Sequence, residues 1–291
     1  MKKDTLQKRT KISNDIMYYI YTHIETHIDI EELSFDLDVS KFHMHRIFKE
    51  AFGKNIYESI KSIRLQKAAN LLLTNKYSTI SEIANLCGYS SQSSFIKAFH
   101  HRFEMNPKAW KQGGYKTYSS RILQQSQKAM LSTASFNNLT PTIVKMPIFE
   151  SFYIRNKGYN VNVKETWQKL QTWLLTNNIT HYKQIALLHD NPTITPLNEC
   201  QYIACIVTQE HQTLSEERLP RFKISDGVYA KFDLQGKHGD MLKFIHWVYH
   251  EWLPKSDYET TTKPSYAIYN KNNFLSNDNE FDLSFYVSIK Y

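Results

Sequence analysis

The sequence contains two copies of one helical pattern, and this duplication limits the fold of the chain more than any other feature. One copy is DIEELSFDLDVSKFHMHRIFKEAFG, residues 29–53, and the other is TISEIANLCGYSSQSSFIKAFHHRF, residues 79–103. The copies are offset by 50 residues before a central turn and by 51 after it. A pattern that recurs at a nearly fixed offset indicates a repeated supersecondary unit.

Each copy carries signals for two short helices separated by a tight turn. Thr79 followed by Glu82 fits a capping box at the start of a helix, and Gly88 can adopt the left-handed conformation that ends it. The first copy has Asp29, Glu32 and Asp38 at the corresponding positions. Asp tolerates a left-handed turn better than most residues. The sequence therefore predicts two helix-turn-helix motifs, the alternative being ordinary helical hairpins.

The second helix of each copy has one apolar face. Phe95, Phe99 and Phe103 lie four residues apart, so they share a face and are predicted to pack inward. Met44, Phe48 and Phe52 correspond to them in the first copy. Between the copies, residues 56–76 form a helical pattern without Pro or Gly. A helix of that length spans about 30 Å, close to the roughly 34 Å between successive major grooves on one side of B-DNA.

Residues 13–115 resemble the DNA-binding domain of the AraC/XylS family of transcription regulators. The resemblance is carried by VSKFHMHRIFKEAFG, by IANLCGYSSQSSFIKAFHHRF and by the following NPKAW at Asn106–Trp110. Ser34 stands where the family usually has Ala, and Lys97 where Arg is commoner. The resemblance implies that one chain binds an asymmetric site near promoters in double-stranded DNA, in two adjacent major grooves, and contacts RNA polymerase.

Site residues follow from the resemblance by position. The exposed face of the first recognition helix is expected to bind DNA through Lys41, Phe42, His45, Arg46 and Lys49. The second is expected to use Gln92, Ser93, Ile96 and Lys97. Arg46 can bond guanine O6 and N7 together, the alternative being a phosphate-only or solvated arginine. Ser93 and Ile96 are weak base readers, which predicts a loose sequence demand in the second half-site.

Charge and cysteine content agree with a nucleic-acid partner in a reducing compartment. The net charge of +8 is uneven, with +6 in residues 1–118 and +2 in residues 119–291. The three cysteines form no Cys-x-x-Cys pair and predict no disulfide framework. The charged N-terminus and the lack of a long apolar stretch predict a cytoplasmic protein without a membrane segment. The histidines lack the partners of a metal site, so neither metal nor cofactor is expected.

The C-terminal half predicts a different fold class. Residues 116–140 are rich in Ser and Gln and are interpreted as a linker with one short helix, which leaves residues 1–115 and 141–291 as domains. After Pro141 the order of predicted elements is β-α-β-β, repeated once. The chain is thus expected to be multidomain, with an all-α N-terminal domain that holds both helix-turn-helix motifs and an α+β C-terminal domain of two β-α-β-β repeats.

Residues 141–291 resemble the GyrI-like domain, a module that binds small amphipathic, often cationic molecules in a cleft between its repeats. The most specific segments are LLHDNPTITPLNECQY, ISDGVYAKFDLQG and WVYHEWLPKSDYE. The resemblance implies that the cleft draws on Tyr153, Trp167, Tyr202, Tyr229, Trp247 and Tyr266, each of which can instead be a core residue.

One position departs from the GyrI-like pattern. Ala267 stands where such domains often carry an acidic residue facing the cleft, which argues against a strict preference for cations and leaves a neutral effector, an anionic effector or none. The same departure argues against the hydrolytic activity of some relatives, so no enzyme is expected. A protein-interaction module without a ligand remains the alternative for this half.

Overall fold

The computed structural model describes residues 3–159, 162–208 and 219–291, and the chain divides into two compact units. Unit 1 comprises Met1–Ala69 and Ser78–Lys108, and unit 2 comprises Asn70–Tyr77 and Ala109–Tyr291. The predicted domain boundaries at residues 115 and 140 stay a prediction, because the two units are defined only by the contacts within each of them.

Unit 1 is built from helices. Their bounds are α1 (Lys3–Thr22), α2 (Ile30–Asp36), α3 (Lys41–Phe52), α4 (Ile56–Thr74), α5 (Ile80–Leu86) and α6 (Gln92–Phe103). The last residues of α4, Asn70–Thr74, belong to unit 2. The pairs α2–α3 and α5–α6 are the two copies of the repeated pattern, and α4 is the helix predicted between them.

The ends of these short helices form as the sequence predicts. The Thr79 hydroxyl accepts from the N–H of Glu82 at 3.1 Å, and the Glu82 carboxylate accepts from the N–H of Thr79 at 2.6 Å. Asp29 caps α2 by accepting from the N–H groups of the two glutamates that follow the first helical residue. Asp38 and Gly88 both adopt left-handed backbone conformations, with φ of 51° and 72°. The turn of each copy is therefore made by the predicted residue.

The aromatic faces of the second helices pack inward. Phe95 and Phe99 are fully buried, and Phe103 is nearly so. Successive rings along α6 lie 5.5 and 4.6 Å apart between centroids. Met44 and Phe48 are fully buried on α3, whereas Phe52 is only half-buried. The predicted inward face is confirmed in both copies, with a looser last position in the first.

The segment predicted as a linker is more helical than one short helix. The turn α7 (Pro107–Ala109) and a π-helical turn at Trp110–Gly114 lead into α8 (Tyr115–Gln124) and α9 (Gln127–Met130). Tyr115, Ser119 and Ile122 form the buried face of α8. The Ser119 hydroxyl is 3.1 Å from Nε2 of His250 within unit 2. A polar residue in the middle of the buried stripe explains why its apolar periodicity is weak in the sequence.

The rest of unit 2 is a sheet with two long helices. Its first repeat comprises β2 (Phe149–Lys157), α10 (Val163–Thr176), β3 (Tyr182–Leu188) and β4 (Gln201–Thr208), preceded by β1 (Thr142–Met146). The second comprises β6 (Gly227–Lys237), α11 (His238–Trp247), β8 (Ser265–Lys271) and β9 (Glu280–Lys290). The shorter elements are β5 (Arg221–Ile224), a π-helical turn at Val248–Trp252, α12 (Leu253–Lys255) and β7 (Glu259–Thr260).

The strand order shows the duplication directly. The described strands run β1-β6-β9-β8-β3-β4-β2-β5 and every neighbouring pair is antiparallel, with β7 on β9. The repeats meet where β3 pairs with β8, and Ala186 lies opposite Ala267 there. The edge strand before each repeat pairs with the other repeat, so β1 extends β6 and β5 extends β2. The predicted pair of β-α-β-β repeats is confirmed.

Both long helices cover the same face of this sheet. In α10, Trp173 packs on Phe152 with ring centroids 4.9 Å apart. In α11, Phe244 packs on Phe232 and Phe285 with ring centroids 5.5 Å apart in each case. The strand registers place these three strand residues on one side of the sheet. This side is called the helix face below, and the other side is called the opposite face.

The end of α4 is tied into unit 2 by buried polar groups. Nδ2 of Asn75 donates to the carbonyl of Thr260 at 3.1 Å, and Oδ1 of Asn75 accepts from the N–H of Thr260 at 3.1 Å. The Thr74 and Thr260 hydroxyls are 2.6 Å apart. The N–H of Tyr77 donates to the carboxylate of Glu259 at 2.8 Å. Asn75 thus occupies the hydrogen-bonding edge of β7 as a neighbouring strand would.

Candidate functional site

The residues predicted to contact DNA on α3 lie on one side of that helix. They are Lys41, Phe42, His45, Arg46 and Lys49, and this set is called the α3 face. All are exposed except His45, which is half-buried. Phe42 is 78% exposed, an unusual state for an aromatic side chain.

Neighbouring side chains orient the α3 face. A nitrogen of the Arg46 guanidinium lies 2.9 Å from Nδ1 of His43, one helical turn before it. A guanidinium can only donate, so His43 accepts through a neutral ring nitrogen. Sequence reasoning did not nominate His43, although its i, i+3 spacing to Arg46 was a usable signal.

Lys41 and His45 are also constrained by their surroundings. The ammonium of Lys41 donates to Glu31 at 2.8 Å, and this hydrogen bond raises the pKa of Lys41. Burial, and then the charge of Lys41, lower the pKa of His45. The His45 ring packs against Tyr57 with centroids 5.7 Å apart. His45 therefore presents a neutral ring, and the predicted phosphate contact of Lys41 would compete with its hydrogen bond to Glu31.

The α6 face comprises the predicted residues Gln92, Ser93, Ile96 and Lys97, and all four are exposed. The hydroxyl of Ser93 is 2.8 Å from that of Ser91, which caps the helix. The Ser93 hydroxyl is thus engaged at the helix cap, whereas Gln92 and Lys97 are long polar side chains that extend from this face. The structure places every predicted DNA contact on the exposed side of its recognition helix, and contact with DNA itself stays a prediction.

Unit 2 contains a cavity of about 110 Å³ over the centre of the sheet. Its floor is the helix face of the central strands, with Ala186, Tyr202, Ala267 and Tyr269 among the lining residues. Its wall is α11, through Met241, Leu242 and Ile245. Residues from the loops and from α9 complete the lining, namely Tyr159, Pro192, Leu197, Asn273, Phe274, Ser126 and Lys128.

The cavity brings together only part of the predicted aromatic cleft. Tyr202 lines it. Trp167 is buried behind Tyr202 and donates its Nε1–H to the Tyr202 hydroxyl at 2.9 Å. Trp167 also packs edge-on against Tyr269, with ring centroids 5.8 Å apart. Tyr269, which was not predicted, was recognisable because it lies two residues beyond Ala267 on the same strand face.

The other four predicted aromatic residues lie elsewhere in unit 2. Tyr153, Tyr229 and Tyr266 are buried on the opposite face, where Tyr266 stacks on Tyr286 at 4.7 Å between centroids. Trp247 lies on α11 and stacks on Phe244. The alternation of residues along a strand shows which aromatic side chains share one side of that strand. It does not show which side of the strand faces the helices. Ligand contact by these residues stays a prediction outside the cavity described here.

The hydroxyls around the cavity are occupied and protonated. Tyr159 donates to the carbonyl of Asp190 at 2.9 Å, and Tyr202 and Tyr269 are hydrogen-bonded to each other. Burial raises the pKa of Tyr202, and it raises the pKa of Tyr269 to about 12. Among the described lining residues Lys128 alone carries a charge, and it is exposed.

Two further observations concern the described residues as a whole. No group of three or more His, Cys, Asp or Glu side chains in that part of the chain is placed to hold a metal ion. Within the same residues, no helix has the length and apolarity that crossing a membrane requires.

Comparison with known families assigns a description to each half of the chain. The "GyrI-like small molecule binding domain" matches residues 139–290. A "Helix-turn-helix domain" matches residues 33–113. The second match covers most of both copies of the repeated pattern, and the first covers the whole sheet.

Curated relatives are similar over about a third of the chain. The probable transcription factor PqrA of Proteus vulgaris is 31% identical over 105 residues, which are 35% of this chain and 85% of that protein. The xylose operon regulatory protein of Escherichia coli strain K12 is 30% identical over 95 residues, 33% of this chain. The chain spans only 24% of the length of that regulator.

Solved structures are similar over parts of the chain. The C-terminal domain of AraT, a response regulator from Geobacillus stearothermophilus, is 29% identical with a TM-score of 0.34, over 35% of this chain and 84% of that chain. The EcmrR C-terminal domain is 13% identical with a TM-score of 0.41, over 53% of this chain and 98% of that chain. From the two family matches and the PqrA likeness, the chain belongs to the DNA-binding transcription regulators of the AraC type and carries a GyrI-like small-molecule-binding domain.

Proposed function

We propose that a single chain binds a promoter site by placing α3 and α6 in two adjacent major grooves, and that it acts as an activator that contacts RNA polymerase. The observation that carries this proposal is the pair of exposed polar faces on duplicated recognition helices. The 19-residue helix α4 supports it, since its length of about 28 Å approaches the spacing of successive grooves.

The two faces differ in what they offer to DNA. The α3 face carries Arg46, held by His43, and two lysines, so it can combine base readout with phosphate binding. The α6 face carries one lysine and Gln92, and Gln pairs well with adenine. The proposed site therefore has one box with a strict sequence and one with a looser sequence.

Substitution of Arg46 tests the role of the α3 face. Arg46→Ala is expected to weaken binding to a duplex recovered by selection from random sequence by about 5- to 150-fold, the equivalent of 1–3 kcal/mol, and to relax one base position. Arg121→Ala is the matched control, because it removes the same charge from an exposed position on α8. Fluorescence anisotropy on selected and random duplexes measures both. Equal losses on the two duplexes would contradict base readout by Arg46.

We infer further that the cavity of unit 2 receives a small-molecule effector that alters DNA binding or polymerase contact. Its concave, mainly apolar lining supports this, since such cavities commonly take small ligands. Ala186→Leu fills much of the floor, and Ala186→Val is the milder variant if the larger residue disturbs folding. Molecules that raise the melting temperature of the wild type should not raise that of the filled variants. Equal shifts in both would contradict ligand binding at this cavity.

A further inference from the structure

We propose that the cavity selects neutral, largely apolar molecules of about one aromatic ring and discriminates against cations. This inference rests on the proposed effector function and specifies the chemistry of the effector. It depends on the size of the cavity, on the state of its polar groups and on the charges around it.

The size of the cavity limits the ligand to a small ring. Its volume is about 110 Å³. A closed apolar protein cavity of about 150 Å³ takes benzene, so a single ring already fills this smaller, partly open cavity. The central floor is formed by two alanines, Ala186 and Ala267, that face each other across the β3–β8 pair. Two small side chains at the seam leave room for a flat ring above the strands.

The polar atoms of the lining are largely used within the protein. Trp167 and Tyr269 engage the Tyr202 hydroxyl, and the carbonyl of Asp190 accepts the Tyr159 hydroxyl proton. Most of the surface that a ligand meets is therefore formed by rings and aliphatic groups, and Ser126 and Asn273 are the neutral polar side chains at the described lining besides the tyrosines. Such surfaces favour an apolar ring.

The charges around the cavity do not compensate a buried cation. The described lining residues include no carboxylate, and the one charged residue among them, Lys128, is itself a cation. The nearby carboxylate of Asp190 is not part of the lining and accepts from the N–H of Gln201 at 2.7 Å.

A cation entering this cavity would lose hydration without gaining an opposite charge from the described lining residues. Attraction to the tyrosine faces returns only a small part of that loss. A neutral ring has no such cost and gains the full effect of apolar burial. The geometry therefore favours the neutral form of otherwise equal ligands.

Three one-ring compounds that differ in charge test the proposal. They are benzyl alcohol, benzylammonium and benzoate, titrated into the full chain at neutral pH by calorimetry. We expect benzyl alcohol to bind at least tenfold more tightly than either ion. Tighter or equal binding of benzylammonium would overturn the proposal, and tightest binding of benzoate would overturn it in favour of recognition by Lys128. Binding of none of the three would remove the small-molecule function as well.

A charge substitution at the floor provides the second measurement. Ala267→Glu is expected to shift the preference towards benzylammonium by at least tenfold, while Ala267→Gln, of nearly the same shape, should leave the order of the three compounds unchanged. The same shift in both variants would contradict the role given to charge. If Ala267→Glu does not fold, the wild-type series decides the proposal alone.

Discussion

The substitution Asn75→Ala should detach the end of α4 from β7 in unit 2. Asn75 is 1% exposed and its amide bonds both backbone groups of Thr260, which is 3% exposed. Its Oδ1 also accepts from the Thr74 hydroxyl at 2.8 Å. Alanine removes the donor and the acceptor together, at the position that directly follows the last residue of α4.

The size of the effect follows from the groups left without partners. The N–H and the carbonyl of Thr260 both lose their partner, and a buried unpaired group costs about 1–3 kcal/mol. The Thr74 hydroxyl loses little, since it also donates to the carbonyl of Asn70. Water that enters the space of the deleted amide recovers part of the cost. We therefore expect a loss of about 2–4 kcal/mol in the free energy of unfolding of unit 2.

Tryptophan fluorescence during urea unfolding measures this loss selectively. All five tryptophans lie at or beyond residue 110, within unit 2. The matched control is Asn138→Ala, an exposed asparagine of unit 2, where a change within about 0.5 kcal/mol is expected. If Asn75→Ala changes the unfolding free energy no more than this control, the buried amide contacts do not hold α4, and the reasoning is wrong.

Three other perturbations have defined outcomes. Gly88→Ala should destabilise unit 1 by about 1–3 kcal/mol more than Gly53→Ala, as measured in thermal melts followed by circular dichroism. Both glycines have φ of 72°. A Cβ at Gly88 would lie 2.7 Å from the carbonyl oxygen of Ile24, whereas a Cβ at Gly53 would have no atom within 4 Å. Gly239→Ala should lower the urea midpoint of unit 2, because its Cβ would overlap the carbonyl oxygen of Lys128; an unchanged midpoint would refute this close approach. Burial and then a neighbouring histidine lower the pKa of His250 to about 3. The unfolded chain then binds the extra proton first, so stability should fall as pH decreases from about 6.5 towards 3, by up to about 1.4 kcal/mol per pH unit, and His250→Gln should remove that part of the slope.

The duplicated helices were predictable because their signals are local. Capping residues, a left-handed turn position and an apolar residue every fourth position all act within one or two helical turns. Asp38 in place of Gly88 kept the same backbone conformation, so the repeat was visible despite different residues. The order of elements in unit 2 was predictable for the same reason.

The sequence could not show which side of the sheet, the helix face or the opposite face, each strand residue occupies. Tyr153 and Tyr266 alternate with Phe152 and Ala267, and it is the packing of α10 and α11 on the sheet that shows which set faces the helices. The prediction chose large aromatic residues, whereas the cavity exists where small residues meet, at Ala186 and Ala267. Likewise, the polar Ser119 in the buried stripe of α8 concealed a helix, because its partner His250 is distant in sequence.

The central claim is that one chain reads two boxes with its two recognition helices. The most direct test is selection of bound sequences from random duplex DNA by the full chain. The stoichiometry of the selected complex is measured in the same experiment. The account predicts an asymmetric site with two short boxes about one helical turn apart, bound by one chain, with the stricter box relaxed by Arg46→Ala. A palindromic site bound by two chains, or no enriched sequence from folded protein, would contradict it.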